Sequence, residues 1–115
     1  MPGLVGYTFS KDLKKRKPLK SMISTMGNFA VDEFYGHSLH IARVHPAIFN
    51  KGAQPVWNEN KMLGIMFYGK IYGYEQEMKK LREQEHKIEA GSDAEFVIHA
   101  YEEFGNEAFT KLNGS

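Results

Sequence analysis

Apolar residues crowd into the first ten positions, where Leu4, Val5, Tyr7 and Phe9 follow or flank the early glycines Gly3 and Gly6, and this predicts a short strand from Leu4 to Phe9. Pro18 suits the first turn of a helix, and Leu19, Met22, Ile23 and Met26 then recur at helical spacing up to Gly27, so a helix is expected there. Ser38 to Val44 alternates as a strand should, and Pro46 to Pro55 reads as a loop holding Asn50, Lys51 and Gly52. The strongest strand signal runs from Lys61 to Tyr72. Leu63, Ile65, Phe67 and Ile71 share one parity and Met62, Met66 and Tyr68 the other, which predicts a strand covered on both faces, with a bend or close backbone approach at Gly69. Tyr74 to His86 sets Tyr74, Met78 and Leu81 on one face amid charged residues, the pattern of an amphipathic surface helix. Ser92-Asp93-Ala94-Glu95 has the spacing of a capping box. The helix behind it is expected to bury Phe96, Val97, Ala100, Tyr101 and Phe104 and to stop at Gly105, before a short last helix from Asn106 to Leu112. This order of elements predicts a mixed α and β fold and leaves its topology open.

Composition narrows the picture. The 115 residues, 42% hydrophobic and 25% charged, suffice for one domain with a real core. Fifteen basic residues against fourteen acidic ones generate no strong global field, and the basic run Lys11 to Lys17 lacks interleaved aromatics, so no nucleic-acid partner is expected. No apolar run is long enough for a membrane span, no secretory pattern opens the chain, and the expected location is the cytoplasm. The absence of cysteine removes disulfides, thiolate metal sites and a cysteine nucleophile from these residues. Neighbouring members of His37, His40 and His45 are sent to opposite faces of a strand, and the one even pair, His37 and His45, is about 26 Å apart if extended. No metal site is expected. Nor is any cofactor, since there is no Walker-type glycine loop and no SGGxDS segment for ATP.

Four ordered segments carry a resemblance: MPGLVGY at the start, Arg43 with GAQP (Gly52 to Pro55) nine residues on, GIMFYGKIYGY from Gly64 to Tyr74, and GSDAEFVIHAYEEFG from Gly91 to Gly105 closing with KLNGS. The chain thereby resembles the glutamine amidotransferase (class II, amino-terminal nucleophile) domain of asparagine synthases, whose corresponding forms are MCGIVGY, an Arg the same distance before GAQP, NGEIYN, and SDxEVI followed by LNG. The resemblance implies an α+β, Ntn-hydrolase-like fold with a mostly antiparallel sheet layered with helices. It also implies that residues 1–115 form the first part of such a domain, without its second half or a synthetase domain.

Carried over position by position, the resemblance implies a degenerate glutaminase site. Pro2 stands where the family has its nucleophilic cysteine, and a ring nitrogen cannot form the thioester. Tyr68 stands in place of the oxyanion-binding Asn, with Gly69 retained beside it. Lys70 replaces a Glu that helps hold the substrate ammonium, a reversal of charge. Arg43 matches the residue that grips the glutamine α-carboxylate, and Asp93 the one that meets its α-ammonium. The HRGPD stretch of the family is missing, with Met26-Gly27-Asn28 in roughly that place.

The expected function is therefore that of a pseudoenzyme, a scaffold or regulatory module without glutamine hydrolysis, serving a synthetase-type partner or self-associating through a sheet face built from Leu4, Ile41, Ile65 and Phe67. Two rivals stand beside it: a sensor of glutamine or a related amino acid using Arg43 and Asp93, and residual amide chemistry at Pro2. Blander roles also fit: an ion-paired arginine on a strand, and an aspartate favoured by the helix dipole.

Overall fold

The computed structural model describes residues 1–10 and 17–115, with only the backbone of Lys17. Lys11 to Arg16, and with them most of the basic run, lie outside the described residues. The chain separates into two units, Met1–Pro55 with Met66–Tyr68 and Val56–Ile65 with Gly69–Ser115.

The first unit is built on strands β1 (Gly3–Thr8), β2 (Ala30–Tyr35) and β3 (Leu39–His45), paired antiparallel in the order β1-β3-β2. The central strand is the most buried, with Ala42 and Val44 fully enclosed, as its neighbours on both sides and its apolar side chains require. Helix α1 (Lys17–Ser24) packs on β1 and β3 and buries Leu19 completely. Its last turn is closed by hydroxyls: Ser24 donates to Ser21 O and Thr25 to Met22 O, each at 2.7 Å, filling carbonyls that have no partner within the helix. Strand β2 is not apparent from the apolar pattern. Adjacent Asp32 and Glu33 break the alternation in AVDEFY, a composition tolerated because β2 lies at a sheet edge.

The second unit centres on α3 (Asp93–Phe104). Ser92 Oγ accepts from Glu95 N–H at 3.2 Å and Glu95 Oε2 from Ser92 N–H at 3.1 Å, so the capping box forms. Glu95 Oε1 further accepts from the N–H groups of Glu89 (3.0 Å) and Ala90 (3.3 Å), tying down the preceding loop. Ser92→Ala is expected to cost about 1 kcal/mol and Glu95→Ala at least about 2 kcal/mol, because the glutamate leaves several backbone donors unmet. Urea denaturation followed by circular dichroism measures both, and equal costs would contradict the bonds from Glu89 and Ala90. All eight residues from Asp93 to Ala100 are buried, whereas Tyr101 is half-buried and Phe104 40% exposed. The expected single apolar face thus corresponds to a helix enclosed all round in its first two turns. The helix ends at Gly105, whose φ of +58° suits glycine, and a 3-10 segment, Gly105–Lys111, follows. Helix α2 (Glu75–Glu83) buries Met78 and Leu81 and has Glu75 and Glu77 in its first turn and Lys80 and Arg82 in its last, matching the macrodipole.

The long strand expected from Lys61 to Tyr72 is not there. Only Gly64–Ile65 (β5) is strand, paired with Val56–Trp57 (β4), and Ile71 forms a lone bridge to Gly114. The backbone donors of this run go elsewhere: Phe67 N–H to Gln54 Oε1 (2.6 Å), Lys70 N–H to Ser115 O (2.8 Å) and Ile71 N–H to Asp93 Oδ2 (3.0 Å). Gly69, at φ +146°, does turn the chain. Coverage of both faces fails too, since Met62 is 78% and Tyr72 54% exposed. The expected sheet face also divides: Leu4 and Ile41 share one face of the three-stranded sheet, but Ile65 belongs to the separate two-stranded one.

Candidate functional site

Antiparallel register sets Asp32 of β2 directly opposite Arg43 of β3, so the two side chains leave the sheet on the same face. Arg43 is 1% exposed. Its Nε donates to Asp32 Oδ2 at 2.8 Å, and a terminal nitrogen grips the same oxygen. The guanidinium also donates to the backbone carbonyls of Asn50 (2.9 Å) and Gly52 (3.0 Å), pinning the loop that follows β3. His45 completes the group. Its Nδ1 accepts from Ala47 N–H at 3.2 Å, which places the proton on Nε2, 3.2 Å from Asp32 Oδ2. A buried arginine needs such a partner, and here the chain provides one.

Asp93 opens α3 and is 2% exposed. Its Oδ1 accepts from the Tyr74 hydroxyl and lies 3.2 Å from Lys70 Nζ, while Oδ2 accepts from Ile71 N–H at 3.0 Å. Burial works to raise the Asp93 carboxyl. The hydrogen bonds from Tyr74, Ile71 and Lys70, with the Lys70 charge, outweigh it and hold the group below its ordinary range. For Tyr74, burial and the neighbouring carboxylate act in the same direction, and its phenol is pushed up. Ring stacking of Tyr74 on Phe96, with centroids 4.5 Å apart, fixes the hydroxyl towards Asp93. A cleft of about 360 Å³ opens beside this group, lined by Ile71, Tyr74, Leu81, Phe96 and Lys111 among others.

Pro2 is half-buried just before β1, and Tyr68 is 44% exposed at the end of the first unit. Gly69 and Lys70 begin the long segment of the second unit that also carries Asp93, and Lys70 and Asp93 are brought together. Asp32 was hidden because β2 itself was hidden, and Tyr74 reads in sequence only as an apolar helix position. A separate grouping of Glu59, His86, His99 and Glu102 also escapes sequence reasoning, although His99 and Glu102, three apart on a helix, carry a usable signal. His40, by contrast, bonds to the Tyr7 hydroxyl at 2.8 Å within an aromatic cluster and serves packing.

A family model described as a glutamine amidotransferase domain matches residues 1–115. Asparagine synthetase [glutamine-hydrolyzing] 1 of Arabidopsis thaliana is 34% identical over 105 residues, which is 91% of this chain and 16% of that protein. The asparagine synthetase of Asparagus officinalis is 35% identical over the same coverage. That of Zea mays is 40% identical over 63 residues, 55% of this chain and 10% of its own length. The chain therefore spans only a small part of these relatives. Among the described residues, no helix is long and apolar enough to cross a membrane.

Proposed function

Because this chain belongs to the glutamine amidotransferase domain family, in the form found in asparagine synthetases, we propose that it is a degenerate member that does not hydrolyse glutamine and acts as a scaffold or regulatory module. The observation that carries this reading is the Lys70 ammonium, 3.2 Å from Asp93. The positive charge that a substrate amino group would bring to this carboxylate is already supplied by the chain. A second ammonium would enter against Lys70 rather than beside an acid. Pro2 supports the same conclusion, because neither a thiol nor a hydroxyl is available there to attack an amide. Tyr68, 44% exposed, offers no equivalent of a preorganised amide donor.

These features also favour a scaffold over an amino-acid sensor. Arg43 already holds a carboxylate of its own, and Asp93 its own ammonium, so a ligand would have to displace both internal counter-ions. We read residues 1–115 as the first part of an Ntn-type domain, a reading supported by the antiparallel three-stranded sheet. The groove along β1, lined by Leu4, Val5, Leu39 and Ile41, offers apolar area for a synthetase-type partner or a second copy.

Ammonia release from glutamine tests the reading. The unaltered chain is expected to release none above background, and titration calorimetry with glutamine, glutamate, aspartate and asparagine to show no heat of binding. Glutamine hydrolysis by the unaltered chain defeats the degenerate reading, and binding lost in Arg43→Lys favours the sensor.

A further inference from the structure

Four side chains from three separate segments of the second unit converge on one point. Glu59 follows β4, His86 follows α2, and His99 and Glu102 project from the same side of α3. One ligating atom from each lies within 4.8 Å of all the others. His86 Nδ1 is 3.3 Å from His99 Nδ1 and 3.3 Å from Glu102 Oε2. His99 Nδ1 is 2.9 Å from that oxygen and 3.8 Å from Glu59 Oε1. Ligands about 2.0–2.1 Å from a tetrahedral zinc ion are separated from one another by about 3.3 Å. The observed spacings scatter around that value.

The surroundings orient these atoms. Glu103 Oε2 accepts a hydrogen bond from His86 Nε2–H at 3.2 Å, which leaves Nδ1 its lone pair facing the centre. Asn58 donates to Glu102 Oε1, while Oε2 meets the histidines, and Lys87 N–H donates to Glu59 Oε1 at 2.7 Å. His99 is 2% exposed. Without an ion, one N–H at His99 Nδ1 is shared between Glu102 Oε2 and the lone pair of His86 Nδ1. A divalent cation takes the place of that proton and is balanced by two carboxylates.

We propose that Glu59, His86, His99 and Glu102 bind one zinc ion. Two imidazoles with two carboxylates suit a borderline transition ion rather than magnesium or calcium, which take oxygen ligands. Four protein ligands close the coordination shell, so the ion is structural: it ties the segment after β4 and the turn after α2 to helix α3. This inference does not depend on the fate of the glutaminase site.

Zinc titrated into chelator-treated chain, followed by competition with a chromophoric chelator, is expected to show one tight site per chain, with no comparable uptake of magnesium. His86→Gln and Glu102→Gln should each weaken binding by about 100-fold or more, and Glu103→Gln by about 10-fold through the lost orientation of His86. His37→Asn, at an exposed turn of the first unit, should leave it unchanged. Circular dichroism checks that the variants fold. X-ray absorption at the zinc edge of the unaltered chain provides a readout that needs no variant, and two imidazoles with only nitrogen and oxygen neighbours at about 2.0–2.1 Å are expected. No tight uptake, equal affinity in folded His86→Gln and Glu102→Gln, or a zinc spectrum lacking imidazole would each overturn the site.

Discussion

Arg43→Leu is expected to lower the unfolding free energy by about 3–5 kcal/mol, a large part of the roughly 5–15 kcal/mol that holds a typical domain together. The loss arises less from the missing attraction than from what stays behind. Asp32 would keep its charge without the guanidinium that grips one of its oxygens twice, and the carbonyls of Asn50 and Gly52 would lose their donor. His45 gives Asp32 one remaining contact, at 3.2 Å. Removing both charges in Arg43→Leu with Asp32→Leu should cost less than Arg43→Leu alone, because nothing charged is then buried unpaired. Urea midpoints for the two singles and the double decide the matter. A loss below about 1 kcal/mol in Arg43→Leu, the range of surface ion pairs, would show that the pair is not buried as described.

Asp93→Ala is the second large effect, expected at about 3 kcal/mol, since a buried backbone donor, a phenol and an ammonium lose their shared acceptor. Its pH dependence gives the clearer signature. The folded carboxyl lies below its ordinary value of 3.8, so its contribution is fully present above the unfolded value and disappears as the pH falls through the lower folded one. Tyr74 works in the opposite sense. Its folded phenol is raised above the ordinary 10.0, so that contribution is complete below pH 10.0 and fades as the pH rises towards the folded value. Denaturation across the pH range should show Asp93→Ala losing the acidic decline due to this group. The alkaline decline should shrink but persist, because burial alone still raises Tyr74. An unchanged acid limb would mean that Asp93 titrates normally.

Legibility followed how local each feature is. The capping box at Ser92 and Glu95 and the helix spacing of Met78 and Leu81 were evident in the sequence because the residues that create them lie within a turn of one another. Strand β2 was not, because its acceptance of Asp32 depends on Arg43, which becomes a neighbour only through the register with β3. The run from Lys61 to Tyr72 misled for the converse reason. Its period was correct, but a strand needs a ladder, and these N–H groups found Gln54, Asp93 and Ser115 instead. The resemblance singles out Arg43 and Asp93, whereas their internal partners, Asp32 and Lys70, are set by tertiary structure. Lys70 in particular reads as a damaged position from sequence alone and as a built-in counter-ion once its distance to Asp93 is known.

The enclosure of α3 bears on how this protein tolerates change. Most helices offer evolution a solvent-facing stripe on which substitutions are nearly neutral, whereas from Asp93 to Ala100 no such stripe exists. A saturation library selected for folding should register these eight positions as an unbroken intolerant block, with the usual three-to-four-residue rhythm of permissive sites resuming only beyond it.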